Sequence, residues 1–131
     1  MKFAGSRASD GRGQMRERQR RDRASTQTLR QRYPQFASLR LEFDFSDDTK
    51  FTPAPQVTVL HPPAAAYFIF PCPYSDCNGE FNLVPVVDEI ASSGEMHDQG
   101  QLRCSGLRTG PGEERVTCGL TLEYSVYAQR D

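Results

Sequence analysis

Four cysteines, Cys72, Cys77, Cys104 and Cys118, stand in the pattern Cys-x4-Cys-x26-Cys-x13-Cys, with Gly79, Gly106 and Gly119 close behind three of them. Thiolates placed at turns between strands are what a borderline-soft metal ion needs, and four of them complete a tetrahedron. The set predicts one structural Zn²⁺ held by Cys72, Cys77, Cys104 and Cys118, because a d¹⁰ ion with four sulfur ligands has no open position and no redox change to exploit. A centre of that kind staples a chain and turns over no substrate. Thiol-redox use of Cys72 and Cys77 is a weaker alternative, since their spacing is not C-x-x-C and no basic group lies adjacent to depress a thiol. Four cysteines acting as small buried apolar residues is the third reading.

The compartment bears on the choice between metal and disulfide. The first 28 residues contain only Met1, Phe3, Met15 and scattered alanines, so no apolar stretch follows the basic start and no export signal is read. The sequence therefore predicts a cytoplasmic protein, where thiols stay reduced and a four-cysteine set favours metal. The longest apolar run, Ala64 to Phe70, is too short to span a bilayer, and no membrane partner is expected.

Little else has the residue types for catalysis. His61 sits beside Pro62-Pro63 and His97 lies in a polar stretch; both read as solvated loop residues, with a Cys₃His site their reserve role. Ser92-Ser93 has no nucleophile-elbow motif around it, and Asp47-Asp48 and Asp88-Glu89 are sequence neighbours whose side chains diverge. The expectation is a protein that is not an enzyme.

The net charge of −1 conceals an asymmetry. Residues 1–32 carry ten Lys/Arg against three acidic residues, whereas residues 33–131 carry six against fourteen. Arg16, Arg18, Arg20, Arg21 and Arg23 fall within eight residues, dense enough to bind a phosphate backbone through guanidinium forks. They point to RNA or DNA as the partner, with a solvated tail as the alternative. No aromatic residue interrupts them, so base stacking is not indicated. The acidic remainder points instead to a protein partner of opposite charge.

These residues must be positioned by short elements. Residues 1–24 have almost no apolar content and read as a disordered Arg-rich tail, although Gln14 to Ala24 are good helix formers and Glu17 can support Arg21. Ser25 or Thr26 can cap a short helix through Leu29 and Tyr33 that Pro34 stops. Leu39, Leu41, Phe43 and Phe45 then alternate with Arg40, Glu42 and Asp44, which predicts a half-buried strand. Val57 to Leu60 is a short strand, and Ala65 to Phe70 an aromatic strand leading into Cys72, whose apolar side chains read as core, with a docking surface as the alternative. Glu80 to Leu83 returns as the second arm of a hairpin. Pro85 starts a helix that buries Val86, Val87 and Ile90 and stops at Gly94. Ser93 to Gln99 reads as a loop, Gln101 to Cys104 as a strand, Ser105 to Glu114 as a Gly/Pro-rich loop, and Val116 to Tyr127 as the longest strand. In that strand Leu120, Leu122, Tyr124 and Val126 share one face.

Taken together, the segments Cys72-Pro73-Tyr74-Ser75-Asp76-Cys77-Asn78-Gly79 and Cys104-x13-Cys118-Gly119, with strands on either side, resemble the zinc-ribbon class. The knuckles of that class read Cys-Pro-x-x-Cys-Gly and Cys-x-x-Cys-Gly; here the first is two residues longer and the second is opened by thirteen residues. The resemblance covers residues 66–127 and implies two β-hairpins clamping one zinc, with no particular reaction attached. The fold expected is α+β and β-rich: a small antiparallel sheet and hairpins around a zinc-ribbon-like site, with one or two short helices. Residues 25–131 would form this single domain, behind a disordered tail over 1–24. The function expected is a non-catalytic zinc-binding module that engages RNA or DNA through the tail, or alternatively an adaptor that docks a protein on its acidic surface.

Overall fold

The computed structural model describes residues 8–47, 52–109 and 112–130, with side chains from Arg12 onward. It is an α+β, strand-rich fold whose strands all pair antiparallel. Helix α1 spans Ala8–Ser25 and α2 spans Leu29–Arg32, followed by β1 (Phe36–Ser46), β2 (Gln56–Leu60), β3 (Ile69–Pro71) and β4 (Glu80–Asn82). Then come α3 (Val84–Ser93), β5 (His97–Arg103), β6 (Leu107–Thr109), β7 (Arg115–Thr117) and β8 (Thr121–Arg130).

Period-two alternation builds the main sheet, ordered β2-β1-β8-β5. Leu39, Leu41 and Phe43 are buried, and across the ladder Leu41 pairs with Val126 and Phe45 with Leu122, so the inner faces of β1 and β8 form one apolar surface. That surface shares a core with Leu29, Phe68, Phe81, Leu83, Val87 and Ile90, contributed by α2, the β3–β4 hairpin and α3. The opposite face carries Arg40, Glu42, Asp44 and Glu123 and stays wet.

Local chemistry fixes the connections. Thr28 caps α2: its hydroxyl accepts from the Gln31 amide at 3.2 Å, and the Gln31 side chain accepts from the Thr28 amide at 2.9 Å. The cap is thus Thr28 and not Ser25 or Thr26, because only Thr28 has a glutamine three residues on to reciprocate. Helix α3 begins with Pro85 in its first turn and ends at Gly94. Among residues 65–70 only Ile69 and Phe70 are in strand; Phe68 is fully buried and Phe70 packs edge-on to Phe43, so the aromatic segment belongs to the core.

Three differences from the sequence reading concern the elements around the cysteines. Strand β5 starts at His97, inside the stretch read as loop. The Gly/Pro-rich stretch contains β6, and the long final strand is split into β7 and β8. These pieces form one ribbon. Arg103 pairs with Thr121 and Leu107 with Thr117 in the same register, so β6–β7 prolongs β5–β8 across an interruption at Cys104–Gly106 and 118–120. Backbone bonds bridge the interruption: the Cys104 amide donates to the Leu120 carbonyl at 2.8 Å, and the Cys118 amide to the Gly106 carbonyl at 2.9 Å.

The fourth difference is the N-terminal region. Residues 8–24, read as disordered tail, belong to α1, and residues 1–7 lie outside the described residues. The helix docks through Met15 and Gln19, both buried, and through Arg12 and Arg18. One apolar side chain with polar anchors substitutes for the apolar stripe that a packed helix usually shows. No helix among the described residues is long and apolar enough to cross a membrane.

Candidate metal centre

The two turns place all four cysteines in one buried cluster. The β3–β4 hairpin closes around Cys72 and Cys77, with the Cys72 amide donating to the Gly79 carbonyl at 2.9 Å and the Cys77 amide to the Tyr74 carbonyl at 3.2 Å. The ribbon supplies Cys104 at the end of β5 and Cys118 just before β8, facing each other across the interrupted ladder. The four sulfurs lie within 4.8 Å of one another, with Cys72 Sγ to Cys118 Sγ at 3.8 Å and Cys77 Sγ to Cys104 Sγ at 3.6 Å. A tetrahedron of metal–sulfur bonds of about 2.3 Å has edges of about 3.8 Å, so the donor set fits one tetrahedral ion. All four thiols are free, and their separations are far beyond a disulfide bond.

The backbone around each sulfur suits a thiolate. The Gly79 amide donates to Cys77 Sγ at 3.3 Å and the Gly106 amide to Cys104 Sγ at 3.4 Å. The Tyr74 and Leu120 amides stand in the same two-residue relation to Cys72 and Cys118, each opposing the larger causes that raise that thiol's pKa. Every sulfur is therefore met by the amide two residues on, a donor that favours its ionised form.

Without a cation the cluster resists multiple ionisation. Hydrogen bonds from Cys104 and Cys72 pull the pKa of Cys77 well below the usual thiol range. Hydrogen bonding to Cys104 and Cys77, followed by burial, holds Cys72 protonated, and burial pushes Cys118 up to about 12. A buried cation reverses this balance by supplying charge where four sulfurs converge. The cysteines at 72, 77, 104 and 118 are thus brought together and can hold one metal ion. His61 and His97 are outside the cluster: both are exposed, and His97 stacks on Tyr127 at 4.5 Å between ring centroids.

Residues that the sequence did not single out join the two halves. Asn78 links them in both directions, its side chain accepting from the Leu107 amide at 2.9 Å and its own amide donating to the Leu107 carbonyl at 3.4 Å. Arg108 pairs with Asp76 at 2.9 Å and lies 3.8 Å over the Tyr74 ring. Arg12 reaches in from α1, one nitrogen donating to the carbonyls of Cys72 and Cys77 at 2.8 and 2.9 Å. The repeated Cys-x-Gly of residues 77–79 and 104–106 was a usable signal for matched turns; nothing in the sequence marked Arg12.

The five tail arginines all lie on α1 but do not share a surface. Arg16, Arg20 and Arg23 fall within about 60° of one another around the helix, and they line an open groove of about 310 Å³ with Gly13, Glu17, Gln19 and Pro71. Arg20 also pairs with Glu17 at 2.5 Å, and Arg23 lies 5.1 Å over the Tyr67 ring. Arg18 is on the other flank, where Glu80 accepts from it at 2.8 Å and from Gln19 at 2.6 Å. Arg21 is exposed.

No protein-family model, curated protein or solved structure matches this chain.

Proposed function

We propose that the protein is a non-catalytic zinc-binding module that engages RNA or DNA phosphates through α1. The observation that carries the reading is the common flank of Arg16, Arg20 and Arg23 on a helix seated beside the cysteine cluster. Zinc is favoured because four thiolates in a closed tetrahedron suit a d¹⁰ ion and leave no position for a substrate. The two matched turns, each with a Cys-x-Gly, support a zinc-ribbon-like centre opened by an inserted hairpin tip. Guanidinium groups along one helix flank suit the spaced anions of a nucleic-acid backbone.

The test is binding of single- and double-stranded oligonucleotides by the zinc-loaded protein over a salt series. Three phosphates neutralised give a slope of log affinity against log salt of about −2.7 on duplex DNA and about −2 on single strands. Replacing Arg16, Arg20 and Arg23 together by Gln should abolish binding, since the rest of the chain is acidic. Binding that is insensitive to salt, or that survives this replacement together with Arg18→Gln and Arg21→Gln, refutes the reading.

A second reading is favoured by the outer face of the main sheet. There Glu42, Asp44 and Glu123, with Gln99 and Gln101, surround a depression of about 380 Å³. It would accept a basic protein segment. A polyarginine peptide that binds the wild type and not a Glu42→Gln/Asp44→Asn/Glu123→Gln variant, in a protein that ignores nucleic acid, decides for this adaptor role.

A further inference from the structure

The arginine helix and the cysteine cluster meet through one side chain. A single guanidinium nitrogen of Arg12 donates to the carbonyls of both Cys72 and Cys77, residues 60 and 65 positions away. One donor atom can serve two carbonyls only while both point at the same spot. They do so here because the turn from Cys72 to Cys77 is closed by its own backbone bonds and by the convergence of the two sulfurs on Cys104 and Cys118.

The helix has few other reasons to stay in place. Besides Arg12 it is held by buried Met15 and Gln19, by the Glu80 carboxylate that accepts from Arg18 and Gln19, and by Tyr67 beneath Arg23, and it contains Gly11 and Gly13. An isolated helix of this length and composition is marginal in water. The carbonyl cradle is therefore a principal anchor, and its geometry depends on the sulfurs being held together. Charge acts in the same direction, since four thiolates around a divalent ion leave about two negative charges for Arg12 to offset.

We propose that Arg12 is a positioning residue that couples metal occupancy of the four-cysteine centre to docking of α1. Metal closes the turn and orders the helix; the docked helix in turn tightens the metal, by the same factor, because the linkage is reciprocal. Occupancy then decides whether Arg16, Arg20 and Arg23 stand on one fixed flank or on a loose chain. This inference rests on the reading of the cluster as a zinc centre and not on the identity of the partner.

The experiment compares wild type, Arg12→Ala and, as a solvent-facing control, Arg21→Ala, all full-length. Zinc affinity is measured by competition with a chromophoric chelator, and amide exchange is followed at residues 12–25 and in β1 and β8. Arg12→Ala should weaken zinc at least roughly tenfold, the low end for losing one hydrogen bond to a charged group. It should also speed exchange across α1 at least about tenfold by the same scale, while β1 and β8 keep their protection; Arg21→Ala should change neither. In wild type titrated with zinc from a chelated start, protection of α1 should follow occupancy, a readout that stands even if the variant does not fold. Unchanged zinc affinity in a folded Arg12→Ala, or α1 amides equally protected without zinc, overturns the coupling. A wild type that takes up no zinc overturns the reading beneath it, and metal content alone tells that outcome apart.

Discussion

Gly79 and Gly106 pack backbone against backbone between the two cysteine turns. A Cβ on Gly106 would lie 2.4 Å from the Cα of Gly79, and one on Gly79 would lie 2.3 Å from the sulfur of Cys104. Neither obstacle is the free end of a flexible side chain, so the turns must separate to admit a methyl group. Gly106→Ala should therefore cost about 2–3 kcal/mol, the upper range for overpacking, and should weaken metal binding with it. Chemical denaturation and a chelator competition check this. A variant with wild-type stability and affinity would mean that the glycines are not what brings the turns together.

The sulfurs should act as a unit. Structural zinc contributes roughly 10–16 kcal/mol in small zinc-finger peptides, comparable with or greater than the whole stability of a typical domain. Replacing any one of Cys72, Cys77, Cys104 or Cys118 by Ser should abolish stoichiometric uptake and strip amide protection from much of residues 66–127. Elemental analysis of fresh, reduced protein gives the first answer and exchange in excess chelator the second. Absence of metal from the wild type, or an unaltered fold in chelator, would refute the structural role.

What could be read in the sequence was what burial makes periodic. Leu39, Leu41, Phe43 and Phe45, and Leu120, Leu122, Tyr124 and Val126, alternate because each strand has one dry face, and they lie in β1 and on the β8 side of the ribbon as that pattern requires. Cysteine spacing with nearby glycines identified the cluster for the same reason: few residue types can occupy such a turn. The segments misread lack this imprint. Strands β6 and β7 are exposed along most of their length, so no alternation marks them and only the register inherited from β5–β8 makes them strands. Helix α1 docks through Arg12, Met15, Gln19 and Arg18, whose polar partners are carbonyls and a carboxylate supplied some sixty residues away.

Tyr33 should make stability fall at alkaline pH. It is 5% exposed and donates its hydroxyl hydrogen to Asp88. Burial first and that hydrogen bond second push its pKa up to about 12 from an ordinary 10. A raised pKa means that the folded state holds the proton more tightly. The contribution is fully present below pH 10 and disappears as pH climbs toward 12, a loss of about 2 kcal/mol. Urea titrations of zinc-loaded protein from pH 9 to pH 12 should show the decline, and Tyr33→Phe should flatten much of it. A variant as pH-sensitive as wild type would place the effect on other groups.

The ribbon makes a sharper demand on the cysteine site. Because Leu107 pairs with Thr117 in the register that pairs Arg103 with Thr121, the tip beyond Leu107 is an extension of the hairpin and not a spacer that brings Cys104 to Cys118. Residues 108–116 should then be replaceable by Asn-Gly, the two-residue turn that matches strand twist. The Leu107 bonds to Asn78 would survive, while the ion pair of Arg108 with Asp76 and its stacking over Tyr74 would go. That pair is partly exposed, and its removal should cost no more than about 1 kcal/mol. The shortened protein should still take up one metal ion per chain, with affinity within roughly threefold of wild type on that scale. Loss of stoichiometric uptake in a shortened protein whose β1 and β8 amides remain protected would show that the thirteen-residue spacing is itself needed to position Cys118.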